Sequence, residues 1–204
     1  MISSTHPKSR FIGSILLSAI GDSLGWITEF ERSKNSLYRK YDVEEITGFL
    51  EWEKKVGGRF VGYTDRMKPG DYSDDTQLML SVARCIQSQN HIDHTYFAKV
   101  ELPNWLLYQR GGGRTIKVAA RKIIRKKVEW NTNFFDFKVN DNIVRSIDSG
   151  ANGAAMRVLP IALAFSADLE KLKTHIFSNS IITHGHPTAI IGALIYGYAI
   201  KTIL

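Results

Sequence analysis

Four consecutive oxygen-bearing side chains stand out in this 204-residue chain, at Ser73-Asp74-Asp75-Thr76. An apolar run at helical spacing begins at Leu78, which predicts that the four residues lie at the N-terminus of a helix. Capping by Ser73 or Asp74 explains one hydrogen-bond acceptor at that position. Adjacent carboxylates flanked by hydroxyls are also the hard oxygen ligands that Mg²⁺ prefers, so capping and metal binding both stay open.

A second pair of acidic residues lies on the first predicted helix, residues 9–30. Asp22 and Glu29 are seven positions apart, so both fall near one face of that helix. The nearby Gly21 and Gly25 lower helix propensity, which suggests that another helix or a ligand approaches the backbone closely. The alternative for Glu29 is that it marks the end of the helix and faces water.

Two loops rich in small residues precede helices and could bring backbone N–H groups to an anion. The first is the glycine run 111–113, for which a plain helix stop is the alternative. The second is the loop 149–157, which contains an Asn-Gly step. His184 and His186 flank a later turn, where hydrogen bonding is the commoner role and metal binding the alternative.

Composition favours one globular domain, with 44% hydrophobic and 23% charged residues. The net charge of +7 makes attraction to phosphates plausible. Much of this charge lies on the amphipathic segment 114–128, which predicts either a solvated basic face or a nucleic-acid surface. Since no nucleic-acid-binding motif accompanies it, a nucleic-acid partner is not expected.

No secretory signal is apparent, and the C-terminal apolar run 189–204 is too short to span a bilayer. We therefore expect a cytoplasmic protein without membrane association, with a buried and inert thiol at the single cysteine, Cys85. Helices are predicted at 9–30, 73–89, 93–109, 114–128, 158–165 and 168–182, with a last one from Pro187. A short helix is possible at 142–147. The segment 32–72 lacks periodicity and could cover the acidic site as a lid. With no convincing strand pairing, the fold class is all-α.

Together these motifs resemble the ADP-ribosylglycohydrolase family, all-α enzymes that include the activating glycohydrolase of dinitrogenase reductase. The resemblance rests on four motifs in chain order: Gly21-Asp22-Ser23-Leu24-Gly25 with Glu29, Ser73-Asp74-Asp75-Thr76, Asn152-Gly153-Ala154-Ala155-Met156-Arg157, and Thr183-His184. It runs from about residue 10 to the C-terminus, which implies a single domain over residues 1–204.

The resemblance implies hydrolysis of the glycosidic bond between ADP-ribose and a modified protein or small molecule. It implies two Mg²⁺ ions, or Mn²⁺, with Glu29, Ser73, Asp74 and Asp75 as metal ligands. Glu29, Asp74 and Asp75 would be the catalytic residues. The implied substrate-binding residues are Asn152, Gly153, Met156, Arg157 and His184, with Arg157 neutralising the diphosphate.

The family pattern also includes a later helix with an Asp-x-Asp-Thr motif that supplies the remaining metal ligands. No such motif follows Thr183-His184 before Leu204. We therefore expect a fragment, a truncated product or a degenerate member. The alternative to an active hydrolase is accordingly a catalytically impaired relative that binds ADP-ribose without turnover. Ile190, Ile191, Leu194, Ile195 and Tyr198 on the last helix should then lack a packing partner.

Overall fold

The computed structural model describes residues 7–29, 31, 33–56, 62–87, 91–125, 127–133 and 135–204. Helices dominate these residues, as the all-α prediction requires. The α-helices are α1 (Pro7–Glu29), α2 (Lys34–Tyr41), α3 (Asp74–Arg84), α4 (His94–Tyr96), α5 (Leu102–Tyr108), α6 (Arg114–Ile123), α7 (Leu159–Ala164), α8 (Leu169–Ile181) and α9 (Pro187–Ile203). A π-helical turn, Phe97–Glu101, joins α4 to α5, and 3₁₀ turns lie at Trp130–Thr132, Ser146–Asp148 and Ala155–Arg157.

The prediction of no strand pairing is wrong, because three short antiparallel hairpins join the helices. Their strands are β1 (Trp52–Val56) with β2 (Tyr63–Met67), β3 (Ile86–Gln87) with β4 (His91–Ile92), and β5 (Asp136–Val139) with β6 (Asn142–Arg145). The first hairpin and α2 occupy the segment that lacks periodicity. The third hairpin replaces the short helix predicted at 142–147. Asn140 has the left-handed φ of 54° that suits a tight hairpin turn, and the β-branched Ile143 and Val144 favour a strand.

Several helix boundaries differ from the prediction for local reasons. Helix α3 ends at Arg84 because the chain turns at Cys85 into β3, and residues 88–90 lie outside the described ranges. The predicted helix 93–109 is divided into α4, the π turn and α5, and Pro103 lies in the first turn of α5, where a missing N–H is tolerated. Helix α6 ends at Ile123, whose carbonyl accepts a hydrogen bond of 2.7 Å from the Lys99 ammonium.

Helix α3 is at the centre of the hydrophobic core. Its Leu78 and Val82 are fully buried in the main cluster, together with Phe97 and Trp105 from the neighbouring π turn and α5. Cys85 joins the same cluster, and burial raises the pKa of its thiol to about 12. The predicted burial of this thiol is therefore confirmed, and the core fixes the position of the first turn of α3.

Helices α8 and α9 pack closely because a glycine lies at their contact. A side chain at Gly197 would place a Cβ 2.2 Å from the Ile176 side chain. The opposite face of α9 stays uncovered, with Ile191, Ile195 and Tyr198 exposed by 52%, 65% and 56%. Of the five residues predicted to lack a packing partner, these three are exposed, whereas Leu194 packs against the main core cluster, so the prediction is correct only in part.

Helix α1 lies across the N-terminus of α3 and carries an exposed apolar face, which includes Leu16 and Leu17. Of the described residues, only its segment Lys8–Glu29 is long and apolar enough to cross a membrane by length and composition. The same segment carries Asp22 and Glu29 toward the acidic side chains of α3. Its polar face therefore belongs to the candidate site.

Candidate active site

The first turn of α3 is held by a side chain from a different helix, Asp22 of α1. One carboxylate oxygen of Asp22 accepts hydrogen bonds from the backbone N–H groups of Ser73 and Thr76, both at 3.0 Å. The hydroxyls of Ser73 and Thr76 donate to the same carboxylate at 2.5 and 2.6 Å. Asp22 thus satisfies donors that a helix N-terminus otherwise leaves unpaired.

Ser73 is the N-cap of α3, as the capping interpretation predicts. Its hydroxyl oxygen accepts a hydrogen bond of 3.3 Å from the Asp75 N–H while its proton points to Asp22. The side chain is 1% exposed and lies away from open space. Its assignment as a metal ligand stays a prediction, because these contacts already account for the residue.

Three carboxylates line one cavity of about 350 Å³, namely Glu29, Asp74 and Asp75. Burial is the main cause of a rise in the pKa of Asp75 to about 7, and the charges of Asp74, Asp22 and Glu29 add to it. Burial likewise raises the pKa of Asp74 to about 6, although a hydrogen bond from the Gly112 N–H opposes the rise. The Glu29 pKa is also raised, by burial and by Asp22. The cavity therefore concentrates negative charge that the fold itself does not neutralise.

The donor chemistry of this cavity suits a hard divalent cation such as Mg²⁺ or Mn²⁺. A cation would relieve the repulsion that raises the pKa values of Asp74 and Asp75. Among the residues that the structure describes, however, no group of three His, Cys, Asp or Glu side chains is placed to hold a metal ion. These residues therefore supply at most part of a coordination shell.

The loop that carries Asn152, Gly153 and Met156 forms the opposite wall of the same cavity. Gly153 is required there by space, because an added Cβ would lie 2.6 Å from Ile116 and 2.7 Å from His184. A ligand in the cavity would contact this wall and the carboxylates together.

Arg157 is not among the residues that line the cavity. The expected contact between Arg157 and a diphosphate is therefore not supported by the structure. The side chain is fully buried, and its Nη1 donates to the Gly153 carbonyl at 2.7 Å. Its Nε and Nη2 donate to the side-chain and backbone oxygens of Asn179, at 2.8 and 2.7 Å. Because every one of its nitrogens is directed to these oxygens, Arg157 anchors the loop and is not available to a ligand.

The two histidines of the turn before α9 act as hydrogen-bonding groups, as the commoner interpretation predicts. His184 lines the cavity, and its Nδ1 lies 2.8 Å from the Thr183 hydroxyl. Burial and the charge of Arg157 lower the pKa of His184 to about 3, so the ring is neutral. His186 caps α9, since its Nδ1 accepts from the Thr188 N–H at 3.1 Å.

The glycine run 111–113 closes the cavity next to α6. Gly111 and Gly112 have φ values of +103° and +86°, which side chains rarely tolerate. A Cβ at Gly111 would lie 2.5 Å from an Asp74 carboxylate oxygen and 2.6 Å from Trp26. The glycines are therefore more than a helix stop, since they allow the chain to pass close to the acids.

A second cavity, of about 420 Å³, adjoins the first and shares part of its lining. Glu29 and Asp75 line both cavities, and Tyr196 of α9 lines only the second. Of the three carboxylates, Glu29 and Asp75 therefore border both cavities and Asp74 borders one.

A sequence model of the ADP-ribosylglycohydrolase family matches residues 3–204, nearly the whole chain. This chain belongs to the ADP-ribosylglycohydrolase family. Its motifs and helical fold agree with that assignment. Residues from several of the family motifs line the same cavity.

Three other proteins are similar to this chain over almost its full length. The ADP-ribosyl-(dinitrogen reductase) glycohydrolase of Rhodospirillum rubrum is 27% identical over 96% of the chain and 58% of its own length. An uncharacterized protein of Archaeoglobus fulgidus is 28% identical over 95% of the chain and 55% of its own length. An ADP-ribosylarginine hydrolase of Serratia proteamaculans is 22% identical over 100% of the chain and 50% of its own length. The chain thus spans about half the length of the relatives it matches.

Sequence reasoning missed three features of this family member's site. It recorded Asp22 without predicting that this residue would hold the start of α3. It did not select Trp26, which lines both cavities and packs on Trp52 at a centroid distance of 4.7 Å. It also treated the basic residues of 114–128 as one surface, although Lys117 lines the acidic cavity. In the sequence, Lys117 follows Ile116 on the basic helix and could not be distinguished from the other basic residues of 114–128.

Proposed function

We propose that this chain binds the ADP-ribose unit of a modified protein or small molecule at its acidic cavity. We further propose that, with a divalent cation, it hydrolyses the glycosidic bond of that unit. The observation that carries the proposal is the arrangement of Glu29, Asp74 and Asp75 opposite Asn152 and Gly153 in one cavity of a family member. The names of two relatives support the class of reaction, since both are hydrolases that act on ADP-ribosyl groups.

The cavity offers the groups that cleavage at an anomeric carbon needs. Such cleavage passes through a state with positive charge on the sugar, which neighbouring carboxylates stabilise. The pKa of Glu29 is raised by burial, so this carboxylate can take a proton from an attacking water more readily than an exposed one. Glu29 would therefore act as general base, with the proton held on its carboxylate.

Asp74 and Asp75 would hold the divalent cation, and Mg²⁺ is the ion that we propose first. A bound cation of this kind orients ribose hydroxyls and lowers the pKa of water. The backbone wall at Asn152 and Gly153 would keep the ribose against the acids. Arg157 contributes from behind that wall, because its hydrogen bond to the Gly153 carbonyl keeps the loop in place.

The test is release of ADP-ribose from an ADP-ribosylated arginine peptide, followed by chromatography with and without Mg²⁺. Glu29→Gln and Asp75→Asn should abolish Mg²⁺-dependent release. Asp148→Asn changes an exposed acid paired to Arg145 and is the matched control. Release that continues in both site variants would overturn the assignment of the cavity.

Binding without turnover is the second candidate function. It is favoured by the finding that, within the described part of the chain, no three candidate ligands gather around one metal position. Calorimetry with ADP-ribose separates the two candidates. Saturable binding that Asp75→Asn weakens, without any release of ADP-ribose from the peptide, would identify a binding protein.

A further inference from the structure

Helix α6 begins at the acidic cavity and carries cations away from it. Its first four residues, 114–117, line that cavity, whereas the rest of α6, all of it described, lines neither cavity. Arg114, Lys117 and Arg121 recur at i, i+3 and i+7, so they share one face of the helix. Arg125 follows four positions after Arg121, directly beyond the end of α6. We call Arg114, Arg121 and Arg125 the basic row.

The three arginines of the basic row are all exposed. Within the described ranges, none of them forms an ion pair or a side-chain hydrogen bond. Arg84 and Arg110, by contrast, pair with Glu101 and Asp71, at 2.6 and 3.4 Å. The basic row therefore presents positive charge that the described side chains leave unbalanced.

The positions of these cations are unfavourable for the helix itself. Arg114 is the first residue of α6, where the helix dipole has its positive end. The first turn contains no acidic residue, and Gly113 provides no side-chain cap. Lys117 and Arg121 are four positions apart, a spacing at which like charges destabilise a helix. Because these cations do not stabilise α6, a binding partner explains them better than the fold does.

We infer that the basic row docks an acidic segment of the ADP-ribosylated protein, close to the modified residue in the cavity. This inference rests on the proposed function for the identity of the substrate. From Arg114 to Arg121 the helix rises about 10 Å, a distance that an extended peptide covers in about three residues. The acidic side chains of the substrate should therefore lie about three to five residues from the modified one.

A nucleic acid is the other polyanion that an arginine row can attract, and Ile124 favours a protein instead. Ile124 is 60% exposed and lies between Arg121 and Arg125 in the chain. Protein interfaces combine arginines with apolar contacts. Sequence-independent binding of nucleic acid relies on contacts with phosphates, which an exposed isoleucine does not make.

The experiment measures binding of fluorescently labelled peptides to the full chain by anisotropy, in EDTA so that Mg²⁺-dependent hydrolysis does not occur. The first peptide carries ADP-ribosylarginine with Glu three to five residues away on both sides. The second has Gln in place of each Glu, and the third has the Glu residues with unmodified arginine. The first should bind about five- to tenfold more tightly than the second, and this preference should disappear as the salt concentration rises from about 50 to 500 mM.

Single variants test which cations carry the preference. Arg121→Gln and Arg125→Gln should each weaken the first peptide about two- to fivefold and leave the second unchanged, because each removes one exposed ion pair. Lys122→Gln is the matched control, since it removes a charge from the same helix about 100° away from Arg121. It should change the affinity less than about 1.5-fold. Free ADP-ribose should bind all three variants like the wild type.

The outcomes separate the basic row from the proposed function. Equal binding of the first two peptides would overturn the docking surface and leave the function standing. A preference for Glu that Arg121→Gln loses, with equal binding of the first and third peptides, would support the surface and overturn the function. A short DNA duplex that binds more tightly than any peptide, and that Arg121→Gln weakens, would assign the row to nucleic acid and overturn the inference. Circular dichroism verifies that each variant is folded.

Discussion

The carboxylate of Asp22 and the hydroxyl of Thr76 lie 2.6 Å apart, although 54 positions separate them in the chain. The same carboxylate also accepts the Thr76 N–H at 3.0 Å. A negative charge at this position is favourable, because the N-terminus of α3 carries the positive end of the helix dipole. Asp22 thus fixes the turn that presents Asp74 and Asp75 to the cavity.

Replacing Asp22 should destabilise the protein more than replacing a typical acid. Asp22→Ala removes four hydrogen bonds and leaves the N–H groups of Ser73 and Thr76 unpaired. We expect a loss of about 3 kcal/mol in the free energy of unfolding, measured by urea denaturation. Asp148→Ala, which breaks only an exposed pair with Arg145, should cost less than about 1 kcal/mol. Equal losses in the two variants would contradict this role for Asp22.

The acidic cavity should make stability fall as the pH rises when no cation is present. The pKa values of Asp74 and Asp75 are raised to about 6 and about 7, so between about pH 4 and 7 the folded state binds more protons than the unfolded state. Because the two groups interact, the pair titrates as a unit. In EDTA, the melting temperature should increase from pH 8 to pH 5 as these groups are protonated.

Asp75→Asn should flatten that dependence and raise the melting temperature at pH 8, since it removes a charge that the fold disfavours. Mg²⁺ should raise the melting temperature of the wild type more at pH 8 than at pH 5. A wild-type melting temperature that is independent of pH in EDTA would argue against a cluster of disfavoured charges.

His94 should have the opposite effect on the pH dependence. Burial, followed by the charges of His175 and His91, lowers its pKa to about 4, and its Nε2 lies 3.2 Å from the Nδ1 of His175. The unfolded chain binds a proton at this residue near pH 6.5. The stability that the neutral ring contributes is therefore complete above about pH 6.5 and is lost as the pH falls toward 4.

The measurement is the difference in melting temperature between His94→Gln and wild type as a function of pH. We expect the variant to be less stable at pH 7 and the difference to shrink toward pH 4.5. A constant difference across this range would show that His94 contributes only packing.

Arg157 should act on the loop through stability. Arg157→Ala leaves the Gly153 carbonyl and both oxygens of Asn179 without their buried donor, which should cost about 1–3 kcal/mol for each acceptor left unpaired. Arg157→Lys keeps the charge and loses the fork geometry, so it should be only partly tolerated. Arg125→Ala, at an exposed position, should change the unfolding free energy by less than about 0.5 kcal/mol. If Arg157→Ala is as stable as the wild type and only binds ADP-ribose more weakly, the result would support a direct contact between Arg157 and the phosphates.

The uncovered face of α9 should promote self-association. Ile195 is 65% exposed and borders an apolar groove of about 290 Å³ together with Leu169 and Tyr198. Contiguous apolar surface of this kind favours contacts between molecules. Ile195→Lys should reduce the scattering of concentrated solutions, whereas Lys173→Gln at the rim of the same groove should not. Unchanged light scattering in Ile195→Lys would show that this face of α9 does not mediate self-association.

Much of the helical architecture could be predicted from the sequence, because apolar spacing and capping residues are local signals. Ser73 caps α3 as predicted, and Asp168 caps α8 at the predicted start of that helix. The sequence also grouped Glu29 with Asp74 and Asp75, and the structure places the three around one cavity. Their roles in metal binding and catalysis stay predictions.

The remaining features depend on partners that are distant in the chain. Arg157 looks like a free cation in the sequence, and only its hydrogen bonds to Asn179, 22 residues away in the chain, show that its donors are already used. Trp26, which lines both cavities, packs on Trp52, a tertiary contact with no local signature. Local patterns indicate which residues are polar, whereas three-dimensional packing decides which of them meet a ligand.

The hydrogen bonds around Asp22 also constrain the order in which parts of the protein can fold. The cavity combines α1, the start of α3, the glycine run and the 149–157 loop, whose contacts span separations such as the 51 residues between Asp22 and Ser73. Closing such long segments is slow, so these contacts should develop after the local helices. A ligand of the finished cavity would then slow unfolding and leave the folding rate almost unchanged. A bound ligand would therefore increase the kinetic stability of the folded protein, because it lengthens the time before unfolding.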